Sequence, residues 1–260
     1  MSTLTYDFRG ATVLVTGGSQ GIGRATAGAF ARAGATVAIC ARTAADVRQA
    51  EREITARGGG RCWGFVADLA DPAAPARLYR EVEAAAGPLD ILVNNAAAQG
   101  NFPFPAMSLE TWAWMVQVNL HAPFELARLL ARSAQARQEP AAIVNVLTDQ
   151  IIRHAKGRVG YGSTKMGLAG LTRSLALELI EHRIRVNAVA PAFVDVTRVR
   201  TQFGDLEDRL AAAPLGRFIA PDEVASAVLF LASDAATAIT GVILPVDGAH
   251  SVDGTWVRTR

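Results

Sequence analysis

Two residues with complementary acid–base chemistry, Tyr161 and Lys165, lie four positions apart in the run Tyr161-Gly162-Ser163-Thr164-Lys165. On a helix, residues i and i+4 lie on one face, so the Lys165 ammonium can approach the Tyr161 phenol. A free phenol ionises near about pH 10, and a neighbouring cation lowers that pKa by favouring the phenolate. The pair could therefore exchange protons near neutral pH. The same spacing also fits a solvated helix face, so further motifs must decide.

A glycine-rich run near the N-terminus is the second motif. Thr16-Gly-Gly-Ser-Gln-Gly-Ile-Gly23 follows the apolar segment Thr12–Val15 and precedes a helical pattern that continues to Ala33. Glycines permit a tight turn and a close approach of the backbone to a pyrophosphate, and the N–H groups of the helix N-terminus attract the anion. An ordinary turn is the alternative, but glycines at this spacing between a strand and an amphipathic helix favour a nucleotide site.

Composition narrows the class of protein. The chain of 260 residues has a formal charge of +2, and its arginines are dispersed without a basic stripe, so we expect no nucleic-acid binding. Nowhere do about eighteen apolar residues run together, so we expect no membrane span. Residues 1–9 contain Tyr6, Asp7 and Arg9 and lack an apolar stretch of signal length, which favours a cytoplasmic protein. Cys40 and Cys62 fall inside predicted strands as buried small residues, without metal or disulfide spacing.

Short β-branched segments alternate with longer helical segments along the chain. Strands buried on both faces, joined by right-handed crossovers, form a parallel sheet covered by helices. Seven segments and a glycine-rich turn favour an open sheet over a barrel. We therefore predict an α/β fold, a doubly wound Rossmann-type parallel seven-stranded sheet with helices on both faces, in one domain over residues 1–260. The predicted strands are Thr12–Val15, Thr36–Cys40, Cys62–Val66, Ile91–Asn94, Ile143–Val146, Arg185–Val189 and Val242–Val246.

Polar and glycine-rich segments follow most of these strands. In an open parallel sheet the carboxyl ends of the strands face one edge, and ligands bind there. We therefore expect the active site at this edge. The residues concerned are Thr16–Gly23, Arg42, Asp68, Asn94–Ala97, Thr148 and Pro191.

Taken together, these motifs resemble the short-chain dehydrogenase/reductase family over nearly the whole chain, from Gly10 to about Gly248. The resemblance implies a nicotinamide dinucleotide, hydride transfer at a carbonyl carbon, and a homotetramer or homodimer assembled through the long helix that carries Tyr161 and the C-terminal segment. The matching segments are Thr16–Gly23, Asp68-Leu69, Asn94-Asn95-Ala96, Asn119, Tyr161-x-x-x-Lys165, Arg185–Pro191 and Val246-Asp-Gly248.

The resemblance also assigns catalytic roles. Tyr161 would protonate the carbonyl oxygen, and Lys165 would lower the phenol pKa and bind the nicotinamide ribose. Asn119 would hold a water in a proton relay, although a buried amide paired with backbone is the alternative. Thr148, where the family usually has serine, would hydrogen-bond the substrate oxygen.

Cofactor contacts follow in the same way, and the choice of cofactor rests on Arg42. A carboxylate at the end of the second strand usually selects NAD, whereas here an arginine suits the 2′-phosphate of NADP. We predict NADP over NAD, although Gln20 replaces the basic residue of many NADP-using relatives and Arg42 could simply be solvated. Asp68 either contacts the adenine or caps its strand. The full predicted set is Gly17, Ser19, Gln20, Gly21, Ile22, Gly23, Arg42, Asp68, Asn95, Tyr161, Lys165, Pro191, Val194 and Thr197.

Four positions depart from the family pattern. Ala97 and Ala192 replace glycines, and their methyl groups either fit or crowd the cofactor if positive φ is needed. Val196 stands where a threonine usually contacts the nicotinamide amide, and Thr197 could take that contact. Thr148 keeps the hydroxyl but adds a methyl group that narrows the pocket. We expect activity to survive these changes, with slower or narrower chemistry.

The resemblance places the substrate pocket at residues 99–104, 147–157 and Phe193, under a cover formed by about residues 197–217. Two kinds of side chain favour different substrates. An apolar or aromatic substrate would suit Phe102, Phe104, Phe193 and Phe203, whereas a carboxylate or phosphate would suit His154, Lys156, Arg158, Arg198 and Arg200.

The leading hypothesis is an NADP(H)-dependent oxidoreductase that acts on a ketone or secondary alcohol of a small to medium organic molecule. A second hypothesis is net non-redox chemistry with bound nicotinamide, such as epimerisation or dehydration, motivated by Thr148 and Val196. A third is a catalytically silent NADP sensor, which the joint presence of Tyr161 and Lys165 disfavours. Substrate identity, reaction direction and stereochemistry do not follow from these residues.

Overall fold

Seven parallel strands form one sheet in the computed structural model, which describes residues 5–196 and 213–253. The strands are β1 Thr12–Thr16, β2 Thr36–Ala41, β3 Cys62–Val66, β4 Ile91–Asn94, β5 Ala141–Val146, β6 Ile184–Pro191 and β7 Ile243–Val246. Their spatial order is β3-β2-β1-β4-β5-β6-β7, so the chain reverses direction across the sheet between β1 and β4. This reversal is the point at which open α/β sheets bind ligands.

Helices cover both faces of the sheet. The helices of the described residues are α1 Gly21–Arg32, α2 Ala44–Arg57, α3 Ala74–Ala86, α4 Leu109–Val116, α5 Ala122–Arg137, α6 Val159–Leu179 and α7 Pro221–Ala232. A π-helical segment, Gln117–His121, joins α4 to α5. Helices α1, α2 and α7 lie on one face, whereas α3, α5 and α6 lie on the other.

The strands are apolar on both sides because both sides are buried. Along β1, Val13 and Val15 pack into one core cluster with Phe30 of α1, while Leu14 between them packs into the opposite cluster. This alternation is the two-residue period of a strand. Burying a side chain the size of Phe30 stabilises the fold by roughly 1.5–3 kcal/mol. The predicted doubly wound seven-stranded sheet is confirmed.

Strand ends differ from the predictions by a few residues. β5 begins at Ala141, two residues before the predicted start, because Ala141 and Ala142 pair with Ile184 and Arg185 of β6. Alanine has a low intrinsic strand preference, but a buried central position overrides it. β6 extends to Pro191 and pairs there with Val246 of β7. This extension carries β6 to the edge of the sheet at which the predicted site lies.

Both cysteines are buried and free, as predicted. Cys40 lies in β2 and Cys62 in β3, and burial raises the pKa of each thiol to about 12. A thiol in this state is a small apolar core residue and a poor nucleophile. Among the described residues, no helix is both long and apolar enough to cross a membrane.

Candidate active site

The glycine-rich turn connects β1 to α1, and its glycines are required by geometry. Gly17 and Gly21 have φ angles of +65° and +54°, in the left-handed region that side chains rarely adopt. Gly23 has no room for a side chain, because a Cβ there would lie 2.2 Å from the Gly17 carbonyl oxygen. The turn thus keeps its backbone open at the N-terminus of α1.

Asn95, directly after β4, fixes this turn in place. Its side-chain amide donates to the carbonyl oxygens of Thr16 (2.8 Å) and Gly17 (3.2 Å). In return, the Thr16 hydroxyl accepts from the backbone N–H groups of Asn95 and Ala96, each at 3.0 Å. No side chain of the described residues caps the N-terminus of α1 at Gln20, so its first N–H groups can bind an anion.

Gly23→Ala tests the packing of the turn directly. The added methyl group would overlap the Gly17 carbonyl and force the turn to move, so we expect a loss of roughly 1–3 kcal/mol in unfolding free energy and at least about tenfold weaker nucleotide binding. Urea denaturation and nucleotide titration measure the two effects.

Gly28→Ala, on the same helix, is the matched control. The nearest atom to its added Cβ is the end of the flexible Arg32 side chain at 3.3 Å. We expect this variant to bind nucleotide like the parent protein and to be slightly more stable, because alanine is the better helix former. Equal behaviour of the two variants would contradict the packing argument.

Tyr161 and Lys165 lie on one face of α6 and are both buried, with exposed fractions of 7% and 1%. The Lys165 ammonium lies 6.0 Å from the centre of the Tyr161 ring and donates to the carbonyl oxygen of Val146 at the end of β5 (2.7 Å). Desolvation lowers the pKa of Lys165 to about 8. The guanidinium of Arg158 lies 5.8 Å from the same tyrosine ring. The predicted helical pair is therefore a buried cation and phenol in close proximity.

Helix α6 is held against the sheet by buried polar contacts. The Asn94 side-chain amide of β4 donates to the Asn145 side-chain oxygen of β5 (2.9 Å), and the Asn145 amide donates to the Thr172 hydroxyl of α6 (2.9 Å). All three residues are almost completely buried. Directional bonds of this kind fix the position of α6 along the sheet.

Asn119 lies within the π-helical segment and is completely buried. Its side-chain oxygen accepts from the Ala98 N–H (2.7 Å), and its amide donates to the Ala98 carbonyl (2.8 Å) and to the Thr164 hydroxyl (2.9 Å). The side chain thus links the segment after β4 to α6, one turn from Tyr161. Its predicted role in holding a catalytic water stays a prediction. π-helical turns inside α-helices often occur at functional sites.

Thr148 follows β5 and belongs to a polar chain that the sequence analysis did not identify. Its hydroxyl donates to Asp149 Oδ1 (3.0 Å), and Asp149 Oδ2 lies 2.8 Å from His250 Nδ1. Asp149 is buried, and the side chain of His250 is only 12% exposed. Burial raises the pKa of Asp149, against the opposing effect of its contacts with Thr148 and His250.

The turn that carries His250 has an unusual backbone. Ala249 adopts φ +70°, which costs a non-glycine residue of the order of 1 kcal/mol. The Asp247 carboxylate accepts from the N–H groups of Ala249 (3.1 Å) and Ser251 (2.9 Å), and Arg153 donates to the His250 carbonyl (2.7 Å). The ring of Phe193 packs edge-on against the imidazole, with centroids 4.8 Å apart. These contacts hold the imidazole in place.

The glycine turn, the pair Tyr161 and Lys165, and the chain of Thr148, Asp149 and His250 meet at one cleft of about 820 Å³ along the carboxyl edge of the sheet. Its walls include the groups after β1, β2, β3, β4, β5 and β6, as the position of the reversal between β1 and β4 predicts. Of the predicted site residues, Asn119 lies buried behind the wall, and Thr197 lies outside the described residues. The predicted residues that line the cleft are Gly17, Ser19, Gln20, Gly21, Ile22, Gly23, Arg42, Asp68, Asn95, Thr148, Tyr161, Lys165, Pro191 and Val194.

The departures from the family pattern are accommodated in the structure. Neither Ala97 nor Ala192 is among the described residues with positive φ, so their methyl groups cause no backbone strain. Val196 lies beside the glycine turn, where a Cβ on Gly21 would come within 3.1 Å of its side chain. Asp68 lines the cleft and also caps its turn by accepting from the Ala70 N–H (3.0 Å).

The predicted substrate pocket is partly corrected. Phe104 is 68% exposed and lines a separate surface groove with Met107 and Trp112, because its short helical turn directs it away from the cleft. Phe102 packs against a small core cluster, whereas Phe193 does line the cleft. Among the described residues, the pocket wall is therefore more polar than the sequence indicated. Phe203, Arg198 and Arg200, and the predicted cover apart from residues 213–217, lie outside the described residues.

Residues that the sequence analysis did not place in the site are His250, Trp114 and Asp46, all of which line the cleft. Asp149 also lines it and lies within the predicted pocket segment 147–157, which gave it no role of its own. The position of His250 was a usable signal, because it follows β7 by four positions and so reaches the same sheet edge. Trp114 packs beside Met115 and Val118 and also reaches the cleft, which the periodicity of α4 alone does not indicate.

Known proteins are similar to this chain over most of its length. Residues 17–250 match the family model described as enoyl-(acyl carrier protein) reductase. The chain is 38% identical to D-erythrulose reductase of Gallus gallus over 254 residues, which cover 94% of this chain and 97% of the relative.

Solved structures show the same fold over almost the full length. A protein of Sinorhizobium meliloti assigned as a short-chain alcohol dehydrogenase has a TM-score of 0.89 at 35% identity, with 96% of this chain and 99% of that chain covered. A protein of Beutenbergia cavernae assigned as an NAD(P)-dependent gluconate 5-dehydrogenase, with NADP bound at low occupancy, has a TM-score of 0.88 at 35% identity, with 95% and 98% covered.

Proposed function

Since the chain belongs to the short-chain dehydrogenase/reductase family and is an oxidoreductase, we propose that it transfers a hydride between NADP(H) and a ketone or secondary alcohol of a small to medium organic molecule. The observation that carries this proposal is the buried pair Tyr161 and Lys165, which lies in the same cleft as the glycine turn. The proposal also draws on relatives and structural neighbours named for reactions of carbonyl or alcohol substrates.

The shape of the cleft and its hydrogen-bond donors fit a dinucleotide. Gly17, Gly21 and Gly23 leave a cradle that a side chain would fill, and the uncapped N-terminus of α1 supplies N–H donors for a pyrophosphate. When bound, the nicotinamide dinucleotide supplies the hydride for reduction or takes it up in oxidation. Arg42, Asp68 and Asn95 would hold its adenosine half, and the segment Pro191–Val196 would hold the nicotinamide half, with Thr197 beyond the described residues.

Tyr161 acts in this proposal as the acid that protonates the carbonyl oxygen in reduction, and as the base in oxidation. Lys165 favours its phenolate form electrostatically, because a cation near an acid lowers the pKa of that acid. The contact of Lys165 with the Val146 carbonyl fixes the ammonium at the end of β5. Asn119 holds α6 against the segment after β4, so that Tyr161 meets the substrate in a fixed position.

NADP is the proposed cofactor because of Arg42. This residue is exposed at the cleft directly after β2, where a guanidinium can pair with a 2′-phosphate. Asp46, in the first turn of α2, lines the same part of the cleft and is an acidic group that would oppose a phosphate. Arg42 follows the end of β2 directly, and the charge of Asp46 is solvated. We therefore assign the larger effect on phosphate binding to Arg42.

Arg42→Asp is expected to shift cofactor preference from NADP toward NAD. Loss of a charge-assisted contact of about 1.5–3 kcal/mol corresponds to a change of roughly 10- to 100-fold in the ratio of dissociation constants. Fluorescence titration with NADPH and NADH measures that ratio. Arg48→Asp, an exposed change of the same charge on α2 outside the cleft lining, is the control. Unchanged relative affinities in Arg42→Asp would count against the phosphate contact.

The experiment that tests the function as a whole is a titration with both nucleotides, followed by a panel of carbonyl substrates. Net oxidation of NADPH with a ketone supports the proposal. Turnover of a substrate without net nicotinamide consumption would instead support the alternative of epimerisation or dehydration, and binding without any turnover would support an NADP sensor.

We also propose that the protein is a cytoplasmic single-domain enzyme that assembles as a homotetramer or homodimer. Its substrate cover would lie at about residues 197–217. Support for assembly comes from apolar side chains exposed on one surface of α4 and α6. Leu109 is 81% exposed, and Trp112, Val159 and Met166 are each about 40% exposed. An apolar area of this kind commonly marks a protein–protein contact.

A further inference from the structure

The carboxylate of Asp149 lies within hydrogen-bond distance of two side chains that line the cleft. Thr148 Oγ1 donates to Oδ1 at 3.0 Å, and His250 Nδ1 lies 2.8 Å from Oδ2. An ionised carboxylate can only accept hydrogen bonds. Burial raises the pKa of Asp149, but its contacts with Thr148 and His250 oppose that shift, and an imidazole is ordinarily a stronger base than a carboxylate, so the shared proton resides on the imidazole. Both neighbours of Asp149 therefore donate to it.

This direction of donation decides what the two neighbours can offer to a substrate. A hydroxyl group has one proton, so Thr148 Oγ1 can only accept hydrogen bonds from the cleft while it donates to Asp149. A neutral imidazole with its proton on Nδ1 carries a lone pair on Nε2. Nε2 has no hydrogen-bond partner among the described residues, and His250 lines the cleft. The cleft wall therefore presents two acceptors.

A simple ketone cannot use these acceptors, because its oxygen accepts hydrogen bonds and has no proton to donate. A hydroxyl group beside the carbonyl can donate to them. We propose that Asp149 and His250 form a hydroxyl-recognition pair that makes the cleft specific for ketones with a hydroxyl group beside the carbonyl, which rests on the proposed reductase function. In this assignment Asp149 is a positioning residue, and His250 contacts the substrate.

The backbone around His250 supports a recognition role. Ala249 is held in the left-handed region by the Asp247 carboxylate, and Arg153 fixes the His250 carbonyl from the loop that follows Thr148. Strained backbone of this kind persists where the surrounding contacts enforce it and is common at binding sites. The contact between His250 and Asp149 spans 101 positions of the chain, so it joins two separate segments at the cleft.

The first test compares two ketones that differ by one hydroxyl group, 1-hydroxy-2-butanone and 2-butanone, with NADPH. We expect the parent protein to favour the hydroxyketone in kcat/KM by at least about tenfold, since a hydrogen-bonding site discriminates against an analogue that lacks the group. His250→Phe keeps a ring against Phe193 but removes both nitrogens, and should lose that preference, so that the kcat/KM values of the two ketones become nearly equal.

Two amide variants separate the functions of the two imidazole nitrogens. His250→Asn retains an N–H near the position of Nδ1 and can still donate to Asp149, but it has no group near Nε2. His250→Gln retains a polar group near Nε2 and should recover part of the preference that His250→Asn lacks. Asp149→Asn replaces one accepting oxygen of the carboxylate with an N–H donor, and should lower the preference for the hydroxyketone. His182→Phe, on an exposed turn after α6, is the control.

A second readout does not depend on turnover. The chain has four histidines, so ¹⁵N-imidazole NMR can resolve His250. With NADP⁺ bound, reduction cannot occur, and 1-hydroxy-2-butanone should shift the Nε2 resonance of His250 while 2-butanone should not. If His250 had only a structural role, each variant would lower kcat/KM for both ketones by the same factor, and the Nε2 resonance would not respond to the ligand.

The outcomes are distinct. Equal kcat/KM for the two ketones, a protonated Nε2 in the ternary complex, or an Nε2 resonance that does not respond to the hydroxyketone would overturn the recognition pair. Absence of NADPH oxidation with every carbonyl compound would refute the proposed reductase function instead, and the NMR measurement would still decide whether His250 binds the hydroxyketone.

Discussion

Replacing Tyr161 with phenylalanine is expected to lower kcat by about 10²- to 10⁴-fold, the usual contribution of a positioned general acid or base. The phenol is the acidic group that lies beside Lys165 on α6, and the change removes one oxygen while it keeps the buried ring. Nucleotide affinity should change by less than about threefold, because the glycine turn is untouched. Single-turnover kinetics and nucleotide titration measure the two quantities separately.

Tyr79→Phe is the matched control for this change. Tyr79 is also buried and hydrogen-bonded, to Glu83 at 3.1 Å, but it lies on α3 outside the cleft lining. The Tyr79→Phe variant should lose a fraction of the free energy of unfolding and none of the enzyme activity. Retained turnover in Tyr161→Phe would remove the acid–base assignment, and parallel losses in both tyrosine variants would indicate a packing effect instead.

The fold could be predicted because the residue types within each central strand reflect the burial of that strand. Val13, Leu14 and Val15 are apolar in succession because the sheet is covered on both faces, and the same reason applies to the other central strands. Ends of strands were less predictable. Ala141 and Ala142 become strand residues through their pairing with β6, which is distant in sequence, and no local preference encodes that pairing.

The site likewise has parts that could be predicted from the sequence and parts that could not. The glycine turn and the helical pair Tyr161 and Lys165 depend on short spacings, so their geometry can be predicted from sequence. The contact between Asp149 and His250 depends on the return of the chain after β7 and on a left-handed alanine, neither of which a spacing reveals. The direction of the Thr148 hydroxyl likewise follows from its neighbour Asp149 rather than from its own residue type.

Burial of Lys165 connects catalysis to stability. Its ammonium is 1% exposed and has a backbone carbonyl as its hydrogen-bond acceptor, so the native state bears the cost of desolvating the charge. Desolvation is the cause that lowers the pKa of Lys165 to about 8. Natural proteins often retain a destabilising group of this kind when activity needs it.

Lys165→Met is therefore expected to separate the two properties. Without the cation that favours the Tyr161 phenolate, kcat should fall by about 10²-fold or more. Stability should change in the opposite sense. At pH 7 the ammonium is charged in both folded and unfolded chains, and only the folded chain carries the desolvation cost, so the methionine variant without nucleotide should be more stable by about 1–3 kcal/mol.

The pH dependence gives the sharper test of this argument. Between about pH 8 and the ordinary lysine pKa of 10.5, the unfolded chain binds the proton that the folded chain has released. The free energy of unfolding of the parent protein should therefore rise with pH across this window by as much as roughly 3 kcal/mol relative to Lys165→Met. Urea denaturation at pH 7, 8.5 and 10 measures the difference. Lys156→Met replaces the other lysine of the chain, which is exposed, and should show no such trend. A constant difference between the parent protein and Lys165→Met over this range would mean that the ammonium is not desolvated in the folded protein, and the predicted gain in stability of Lys165→Met would lose its physical basis.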